Sequence, residues 1–333
     1  MFQLVCCLLG NQLAFSQQNF MKFDHITDES GQSLGTIRQI FQDKMGFVWL
    51  GTEAGLKRYD GNSFKTFTYD AENPSSISSL NITAIVSSQQ GELWIGTDNG
   101  LNRYDAAKET FRRFYQPTTP TDEPCLVDNS IRCLLFDKEN LLWIGTKKGL
   151  SKFNLQKNTF EFFTRNISAQ KAIEGNEVGY LFQDQDGYIW ISLLGKGLAK
   201  YHPQQERLFL YRQNDRRMFN LPSDFVRFIF QDSQKNLWIA TDVGLCIYDK
   251  TKDGFIYYSQ NTQLQDKAIT CLYEDLYRNL WIGTASSGLW KIEGKSKLLY
   301  NFVSNASNPL SLRSNRIWSI VEDKTGILWI GTA

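Results

Sequence analysis

The chain is 333 residues long and carries 36 basic and 35 acidic residues, which gives a formal net charge of +1. This balance excludes a strong electrostatic field that would steer the protein toward nucleic acid, and the sequence has no basic run interleaved with aromatic residues. Beyond the first residues, no apolar stretch is long enough to span a bilayer, so the composition is typical of a soluble all-β domain.

The N-terminus has the features of a targeting segment. Residues 2–10 form a short apolar run, and Ala14-Phe15-Ser16 places small residues at the spacing of a signal-peptidase site. This resembles a secretory signal peptide whose basic start is absent. We therefore expect residues 1–16 to be a partial signal peptide and residues 17–333 to form the folded domain. A short apolar terminus without a targeting role is the alternative.

A tetrapeptide close to Trp-Ile-Gly-Thr returns seven times along the chain, at intervals of 43 to 49 residues. A fixed period of this length is the signature of a repeat architecture. We call the seven tryptophans the repeat tryptophans. They are Trp49, Trp94, Trp143, Trp190, Trp238, Trp281 and Trp329.

Each repeat predicts four short antiparallel strands. Apolar residues lie twelve and nine positions before each repeat tryptophan, as Ile37 and Ile40 do in the first repeat, and six repeats have an aspartate six positions before it. This constant spacing indicates two strands joined by a tight turn. A Gly-Leu pair after the tryptophan opens a third strand, and an apolar-x-x-apolar segment forms a fourth. Four strands per unit of about 45 residues predict that residues 17–333 form an all-β, seven-bladed β-propeller.

The repeat tryptophans are interpreted as apolar wedges between adjacent blades, because all seven occupy the same strand position. The small residue two positions after each tryptophan, such as Gly51, would let neighbouring backbones approach closely. A platform on which sugars stack is the alternative role for these tryptophans.

The two ends of the repeat array predict how the ring closes. Phe23 and Ile26 repeat the spacing of the fourth strand, so residues 22–27 are predicted to be an outer strand without a blade of its own. Residues 317–333 supply only the first two strands of the seventh blade. We therefore expect a seventh blade that is incomplete at the C-terminus, as in a fragment missing one strand. Residues 22–27 would complete this blade on its outer side. Unpaired strand edges should remain.

The sequence offers no convincing catalytic or metal-binding constellation. His25 and His202 are the only histidines, and neither predicts a metal cluster or a nucleophile–base pair. Asp184-Gln185-Asp186-Gly187 resembles the start of a calcium loop, but the repeat register makes it a hairpin turn, which we expect to be solvated. We therefore expect this segment to bind no metal or cofactor and not to be an enzyme.

Four cysteines lie beyond the N-terminal segment, and none forms a closely spaced pair. Cys133 and Cys271 take the same first-strand position in the third and sixth repeats, which lie apart in a ring. Buried free thiols are therefore the expected state.

From about residue 20 onward the chain resembles the two-component regulator propeller family. The family string Ile-x-x-Ile-x-x-Asp-x-x-Gly-x-Leu-Trp-Ile-Gly-Thr-x-x-Gly-Leu-x-x-Tyr-Asp is matched closely by residues 82–105 and 317–332. The resemblance implies the periplasmic sensor part of a hybrid histidine kinase in the inner membrane, of the Bacteroidetes type that detects polysaccharide breakdown products. It also implies that a second propeller, an immunoglobulin-like domain, a transmembrane helix and the kinase belong to the parent chain.

A ligand site is predicted where loops of unequal length enter the first strands, because variable loops on a constant frame commonly carry recognition. Three arginines lie one residue into first strands of different blades, and three lysines lie on loops of the same face. These residues, with a tryptophan at the equivalent position of the seventh repeat, predict a site for an anionic saccharide. They are Arg38, Arg132, Arg227, Lys147, Lys148, Lys196 and Trp318. The alternative is that each arginine pairs with a neighbouring acid such as Glu177 or Asp224.

Three classes of function follow from these observations. A periplasmic sensor propeller that responds to oligosaccharides is favoured by the resemblance and by the apolar leader. A structural or protein-interaction propeller, which dimerises or braces a second propeller, is the alternative. A carbohydrate-active enzyme is the third class, and it would need catalytic residues that the sequence does not provide.

Overall fold

A computed structural model describes residues 21–28, 31–116, 126–163, 173, 176–215, 219–258 and 262–333. The signal peptide predicted for residues 1–16 lies outside these residues, as do Cys6, Cys7 and Cys125. Within them the chain forms 26 strands in seven antiparallel sheets, six with four strands and one with two. The predicted seven-bladed β-propeller with an incomplete seventh blade is confirmed.

In each four-stranded blade the strands follow one another across the sheet in the order of the sequence. Blade 1 contains β1 (Ile37–Gln42), β2 (Val48–Thr52), β3 (Gly55–Tyr59) and β4 (Phe64–Phe67). Blade 2 contains β5 (Ile82–Ser87), β6 (Leu93–Thr97), β7 (Gly100–Asp105) and β8 (Thr110–Phe114). Blade 3 contains β9 (Ile131–Phe136), β10 (Leu141–Thr146), β11 (Gly149–Asn154) and β12 (Thr159–Phe162).

The remaining blades repeat this plan. Blade 4 contains β13 (Val178–Gln183), β14 (Ile189–Leu193), β15 (Gly197–His202) and β16 (Arg207–Tyr211). Blade 5 contains β17 (Val226–Gln231), β18 (Leu237–Thr241), β19 (Gly244–Asp249) and β20 (Gly254–Tyr257). A short 3-10 helix (Thr262–Leu264) leads to blade 6, with β21 (Ile269–Glu274), β22 (Leu280–Thr284), β23 (Leu289–Ile292) and β24 (Leu299–Phe302). Blade 7 contains β25 (Ile317–Glu322) and β26 (Leu328–Thr332).

The second strands form the apolar centre of each blade. In blades 1, 2, 4, 5 and 6 every residue of the second strand is buried, because both of its faces are covered by neighbouring blades. The repeat tryptophans of blades 1 to 6 are at most 6% exposed. The strands of neighbouring blades approach each other closely beside these tryptophans. A Cβ atom on Gly96 would lie 2.6 Å from Cγ2 of Ile131 in the next blade. The tryptophans therefore lie in the frame of the ring.

The aspartate six positions before each repeat tryptophan has a defined structural role. Its Oδ2 accepts the hydrogen bond of the tryptophan Nε1–H, at 2.7 to 2.8 Å, in blades 1 and 3 to 7. Its Oδ1 accepts backbone N–H groups of the same turn, as Asp184 does from Tyr188 at 2.9 Å. Gln185 and Asp186 of this turn are exposed as expected, but Asp184 is only 6% exposed, so the expectation of a solvated residue was wrong for Asp184. The turn folds the carboxylate back onto the indole, and burial follows from that contact.

Blade 2 lacks this contact. Ser88 stands in place of the aspartate, and its Oγ accepts the Glu92 N–H at 3.1 Å. The hydroxyl therefore caps the turn, but the serine side chain is too short to accept the hydrogen bond of the Trp94 Nε1–H as well. The Trp94 Nε1–H is buried without a hydrogen-bond partner among the described residues.

The ring closes by direct contact between blades 7 and 1. The Lys324 N–H donates to Oε1 of Gln42 at 2.8 Å, and the Lys324 ammonium donates to the carbonyls of Asp43 and Lys44. Blades 3 and 4 make the same contact through Lys138 N–H and Gln183 Oε1, also at 2.8 Å. The junction between the last and the first blade is thus built like an internal one.

Residues 22–27 take the place of an outer strand without pairing as one. Phe23 N–H donates to the Leu310 carbonyl at 3.0 Å, which repeats the bond from Phe111 in the fourth strand of blade 2 to Ser75. The Phe23 ring meets Phe302 of blade 6 edge to face at 5.8 Å. The predicted position of an outer strand is thus occupied, but the prediction of a strand was wrong, because the segment makes only an isolated bridge between Thr27 and Ser33.

Candidate functional site

The seven first strands share an irregularity at their N-terminal ends. In every blade the pairing between the first and second strands shifts by one residue just after the first apolar position, as between Ile37 and Gln39 in blade 1. The extra residue has no partner on the second strand, and a β-bulge of this kind redirects a side chain. The bulged residues are Arg38, Thr83, Arg132, Gly179, Arg227, Thr270 and Trp318.

The bulges lie beside two sets of connections, which we together call the mouth of the ring. These are the turns between second and third strands and the loops that enter the first strands. Backbone bonds join the two sets, as from Asp98 N–H to the Asn81 carbonyl and from Asp242 N–H to the Phe225 carbonyl, both at 3.3 Å. The mouth therefore holds the residues predicted from the sequence as a ligand site on a rigid base.

Two of the three predicted arginines are paired with acids. Arg38 Nη2 lies 2.6 Å from Oε1 of Glu53 on the adjacent turn. Arg132 Nε lies 2.6 Å from Oε1 of Glu177 in blade 4. The Arg132 Nε–H does not point along this contact, so it is an ion pair rather than an aligned hydrogen bond. The acid pairing considered as the alternative thus holds for these two arginines.

Arg227 differs from the other two. Its side chain is exposed, and no ion pair or hydrogen bond holds its guanidinium within the described part of the chain. Asp224, the neighbour suggested by the sequence, instead accepts the Gln213 N–H at 2.8 Å. Asp242 takes the position in blade 5 that Glu53 takes in blade 1, but its side chain is one methylene shorter and does not reach Arg227. Oδ1 of Asp242 is buried without a partner in the described residues.

The predicted lysines have different surroundings. Lys148 Nζ lies 3.2 Å from Oδ2 of Asp128. Lys147 and Lys196 are exposed and donate backbone N–H groups to Ser130 and Leu193, which fixes their turns but leaves their ammonium groups in solvent. These two lysines therefore add positive charge to the mouth.

Trp318 is partly buried between two guanidinium groups. Arg38 Cζ lies 5.5 Å from the centre of the indole and Arg316 Cζ lies 5.9 Å from it. Both distances are within the range of cation–π attraction. The Trp318 Nε1–H has no hydrogen-bond partner among the described residues, and the same is true of Thr83 Oγ1 at the equivalent position of blade 2.

Below the mouth, side chains from several blades fill the centre of the ring. The rings of Tyr180 and Phe228 lie 4.4 Å apart, and burial raises the pKa of Tyr180 far above its ordinary value, with smaller effects from Cys133 and Cys271. Cys133, Cys246 and Cys271 are buried free thiols. Burial raises the pKa of the Cys271 thiol to about 12, so it stays protonated and unreactive near neutral pH. A ligand would therefore approach the mouth and not this packed layer.

Phe225, which directly precedes the first strand of blade 5, was not predicted from the sequence. Its ring is 49% exposed and lies over Gly195 of blade 4. The residue one position before the apolar residue of each first strand is aromatic in only one of the seven repeats, and this difference could have identified Phe225 from the sequence. The residues at this position are Thr36, Asn81, Ser130, Glu177, Phe225, Ala268 and Arg316.

Neither a cluster of metal ligands nor a membrane-spanning helix is found in the part of the chain that the structure describes. No three His, Cys, Asp or Glu side chains cluster there as metal ligands. None of the described helices has the length and apolar character to cross a bilayer.

Comparison with known proteins gives the family. The model of the two-component regulator propeller matches residues 76–99, 125–148, 220–243 and 311–333. These four matched stretches are repeats of the two-component regulator propeller type. This chain is 37% identical to a histidine kinase of Formosa agariphila over 70 residues. The match covers 21% of this chain and 5% of the kinase.

The propeller also superposes on solved structures. Extracellular domains of two hybrid two-component systems from B. thetaiotaomicron superpose with TM-scores of 0.79 and 0.73, at 23% and 25% identity. Each match covers 94% of this chain, but only 40% and 39% of the other. Neither these extracellular domains nor the family match indicates a catalytic activity for this segment. Virginiamycin B lyase of Staphylococcus aureus, at 10% identity and a TM-score of 0.64 over 89% of this chain and 92% of its own, shares the fold alone.

Proposed function

We propose that this chain is the extracytoplasmic input propeller of a two-component histidine kinase and that it responds to oligosaccharides released from glycans. The family of its repeats and its likeness to extracellular domains of hybrid two-component systems support the sensor role. In this proposal the segment functions in the periplasm. The kinase, the transmembrane helix, a second propeller and an immunoglobulin-like domain belong to the parent protein.

The observation that carries the choice of ligand is the unpaired guanidinium of Arg227 at the mouth of blade 5. A guanidinium fork binds a carboxylate or sulfate through two parallel hydrogen bonds. The guanidinium groups of Arg38 and Arg132 are already paired with the carboxylates of Glu53 and Glu177, each at an N–O distance of 2.6 Å. Arg227 is therefore the arginine with most capacity to bind an acidic group.

A further side chain of blade 5 suits a sugar. The exposed ring of Phe225 offers an apolar face for the C–H groups of a pyranose. The exposed lysines 147 and 196 add long-range attraction for an anion. We accordingly propose that an acidic oligosaccharide binds over blades 4 and 5, with Arg227 on its acidic group.

Titration calorimetry with a panel of acidic and neutral oligosaccharides tests this proposal. Arg227→Ala should weaken binding of an acidic oligosaccharide by about tenfold or more, because the forked contact is lost. Arg132→Ala should have a smaller effect, since its guanidinium is already paired with Glu177. Arg207→Ala is the matched control, because Arg207 is an exposed arginine on the outer strand of blade 4.

Equal affinities for wild type and Arg227→Ala would remove the mouth site from the proposal. Binding of neutral and acidic oligosaccharides with equal affinity would retain sensing but exclude recognition of charge. If no member of the panel binds, the oligosaccharide response itself is contradicted for this propeller.

A second candidate function, a propeller that binds another protein surface, is favoured by the first turn of blade 6. Leu276 and Tyr277 are each 80% exposed there, on the face opposite the mouth. The corresponding turn of blade 3 has Lys138 and Glu139, and that of blade 4 has Gln185 and Asp186. Two large apolar side chains at one exposed turn are typical of a contact surface.

Sedimentation analysis distinguishes this second function. If the turn mediates dimerisation, Leu276→Lys with Tyr277→Glu should convert dimers into monomers while leaving oligosaccharide binding unchanged. A wild-type protein that is monomeric at high concentration would contradict dimerisation through this surface.

A further inference from the structure

A cavity of about 860 Å³ opens between blades 5 and 6, on the face opposite the mouth. We call it the blade 5–6 cavity. Its rim consists of polar and charged side chains from the first turns of both blades and from the hairpin that joins β23 to β24. Its volume lies within the range of small-molecule sites, about 300 to 1,000 Å³. The apolar residues that line it are Trp238, Ile247, Tyr258, Leu280 and Ile292.

The side chains that fill this place in other blades are replaced in blade 5. In blade 1 a third-strand cation lies between the repeat tryptophan and an aromatic ring of the first turn. Arg58 Cζ lies 5.7 Å from the centre of the Trp49 ring and 4.7 Å from the centre of the Phe47 ring. Blade 4 repeats this arrangement with a lysine. Blade 5 has Ile247 in place of the cation and Asn236 in place of the aromatic residue.

Blade 6 also contributes a smaller side chain to this junction. At five other junctions, an aromatic ring of the following blade's third strand packs on the repeat tryptophan, with ring centres 4.8 to 5.9 Å apart. Blade 6 has Ile292 at this position. Trp238 is the most exposed repeat tryptophan of blades 1 to 6, at 6%. Asn236, Ile247 and Ile292 thus leave the same space open, and all three line the cavity.

A charge is reversed at the same junction. Between blades 1 and 2, Nη2 of Arg58 lies 2.9 Å from Oε1 of Glu109, a residue of positive φ in the hairpin before the fourth strand. The equivalent residue, also with positive φ, is an acid in blades 4 and 5 but Lys297 in blade 6. The ion pair of Arg58 and Glu109 is therefore replaced by Ile247 and Lys297, which leaves a cation without an opposite charge.

The other cations of the rim add to this excess. Their side chains are exposed, and within the described residues their charged groups form no ion pair or hydrogen bond. The three cations that line the cavity are Arg278, Lys295 and Lys297.

The three acids of the rim already accept hydrogen bonds from the chain. Oδ2 of Asp232 accepts the Nε1–H of the repeat tryptophan of its blade at 2.8 Å. Oε2 of Glu274 accepts the Ser233 N–H at 2.7 Å, and Glu293 accepts the hydroxyl of Ser296. The groups of the rim that remain available to a ligand are therefore mainly cationic.

We propose that the blade 5–6 cavity binds a small aromatic carboxylate. The ring packs on Ile247 and Ile292, in the space that an aromatic side chain fills at five other junctions. The carboxylate pairs with the ammonium group of Lys297, and the other two cations of the rim attract it. This second ligand site lies on the opposite face from the proposed oligosaccharide site and does not depend on it.

NMR of the isoleucine methyl groups of the full chain tests the proposal. The probe is naphthoate, and naphthalenemethanol is its uncharged analogue. The methyl resonances of Ile247 and Ile292 are assigned with the variants Ile247→Val and Ile292→Val. We expect both resonances to shift during titration with naphthoate, and we expect the uncharged analogue to bind at least tenfold more weakly because it cannot pair with Lys297.

Two variants locate the two parts of the ligand. Lys297→Glu should weaken naphthoate binding at least tenfold, because an acid replaces the cation. Lys157→Glu is the matched control, since it makes the same charge change at an exposed lysine in the corresponding hairpin of blade 3, and it should bind as the wild type does. Ile247→Arg with Lys297→Glu rebuilds the pair of Arg58 and Glu109. It should abolish binding without lowering Tm, because the arginine fills the cavity.

Several results would overturn the proposal. These are methyl resonances that do not shift up to the solubility limit of naphthoate, equal affinities for naphthoate and its uncharged analogue, equal affinities of Lys297→Glu and Lys157→Glu, and retained binding in the double variant. Arg227→Ala should leave naphthoate binding unchanged, since this arginine lies at the mouth. Failure of the cavity site therefore leaves the oligosaccharide proposal intact, and the reverse also holds.

Discussion

The two faces of the ring use their repeated positions in opposite ways. On the face of the first turns, six blades make the same contact between an aspartate and a repeat tryptophan at 2.7 to 2.8 Å. At the mouth, the seven bulged residues include three arginines, two threonines, a glycine and a tryptophan, and even the arginines differ in their partners. A contact that recurs in six blades thus belongs to the frame. A position whose residue differs from blade to blade lies on the surface available for a ligand.

Removing one frame contact should have the largest effect on stability. Asp137→Ala leaves the Trp143 Nε1–H buried without an acceptor and removes the acceptor of the Leu141 N–H. We expect the free energy of unfolding to fall by about 2 to 3 kcal/mol, measured by urea denaturation. Glu139→Ala on the same turn is the control, since this side chain is exposed. Equal midpoints for the two variants would show that the repeated contact contributes nothing.

The converse change in blade 2 should stabilise the protein. Ser88→Asp supplies a carboxylate within reach of the Trp94 Nε1–H, which is unpartnered in the described structure. We expect a gain of about 1 kcal/mol in the free energy of unfolding, again from urea denaturation. Gln90→Asp adds the same charge to the same turn without reaching the indole and should gain nothing. A destabilised Ser88→Asp protein would mean that blade 2 differs from the others in more than its acceptor.

Mouth substitutions should change stability least. Arg132→Ala removes an ion pair whose two side chains are about one-third exposed, so we expect the free energy of unfolding to fall by less than about 1 kcal/mol. Arg227→Ala breaks no contact within the described chain and should leave the unfolding midpoint unchanged. A loss from Arg227→Ala as large as that from Asp137→Ala would contradict the division between frame and mouth.

The pH dependence of blade 7 gives a further, smaller test of the frame. Burial raises the pKa of the Asp323 carboxyl. Hydrogen bonds from Thr325, Trp329 and Ile327 together lower this pKa by more than burial raises it, so the net shift is downward. Because the folded-state pKa is the lower one, the carboxylate stabilises the fold above the unfolded-state pKa of about 4, and this contribution is lost as pH falls below about 4.

Asp323→Asn removes this titration. Its free energy of unfolding should change less with pH than that of the wild type between pH 5 and pH 3, measured by urea denaturation at each pH. Parallel curves for the two proteins would show that Asp323 does not contribute to acid sensitivity.

The sequence predicted the frame well because spacing along a strand determines strand pairing. The constant twelve-residue unit from Ile37 to Trp49 gives two strands and a turn, and the period gives the ring. The contact from Asp184 to Trp190 was missed because it arises only when the turn folds back, and spacing alone does not separate a buried turn residue from a solvated one.

The mouth was predicted less completely. The positions of Arg38, Arg132 and Arg227 were identified, but the bulge that redirects them depends on register between strands, which the sequence of one strand does not contain. Whether an arginine is paired depends on side-chain reach: Glu53 reaches Arg38, whereas Asp242 does not reach Arg227. Phe225 was not predicted because its place over Gly195 depends on how neighbouring blades pack, which the sequence does not contain.

The bulge in each first strand has a consequence for how this protein can change over evolution. A bulged residue has no cross-strand partner, so its replacement leaves the pairing of the strands on either side unaltered. A new side chain at one of the seven positions can therefore alter recognition while the fold is preserved. The ring has seven nearly independent sites of variation on one surface, which would let a single scaffold acquire new ligands one substitution at a time.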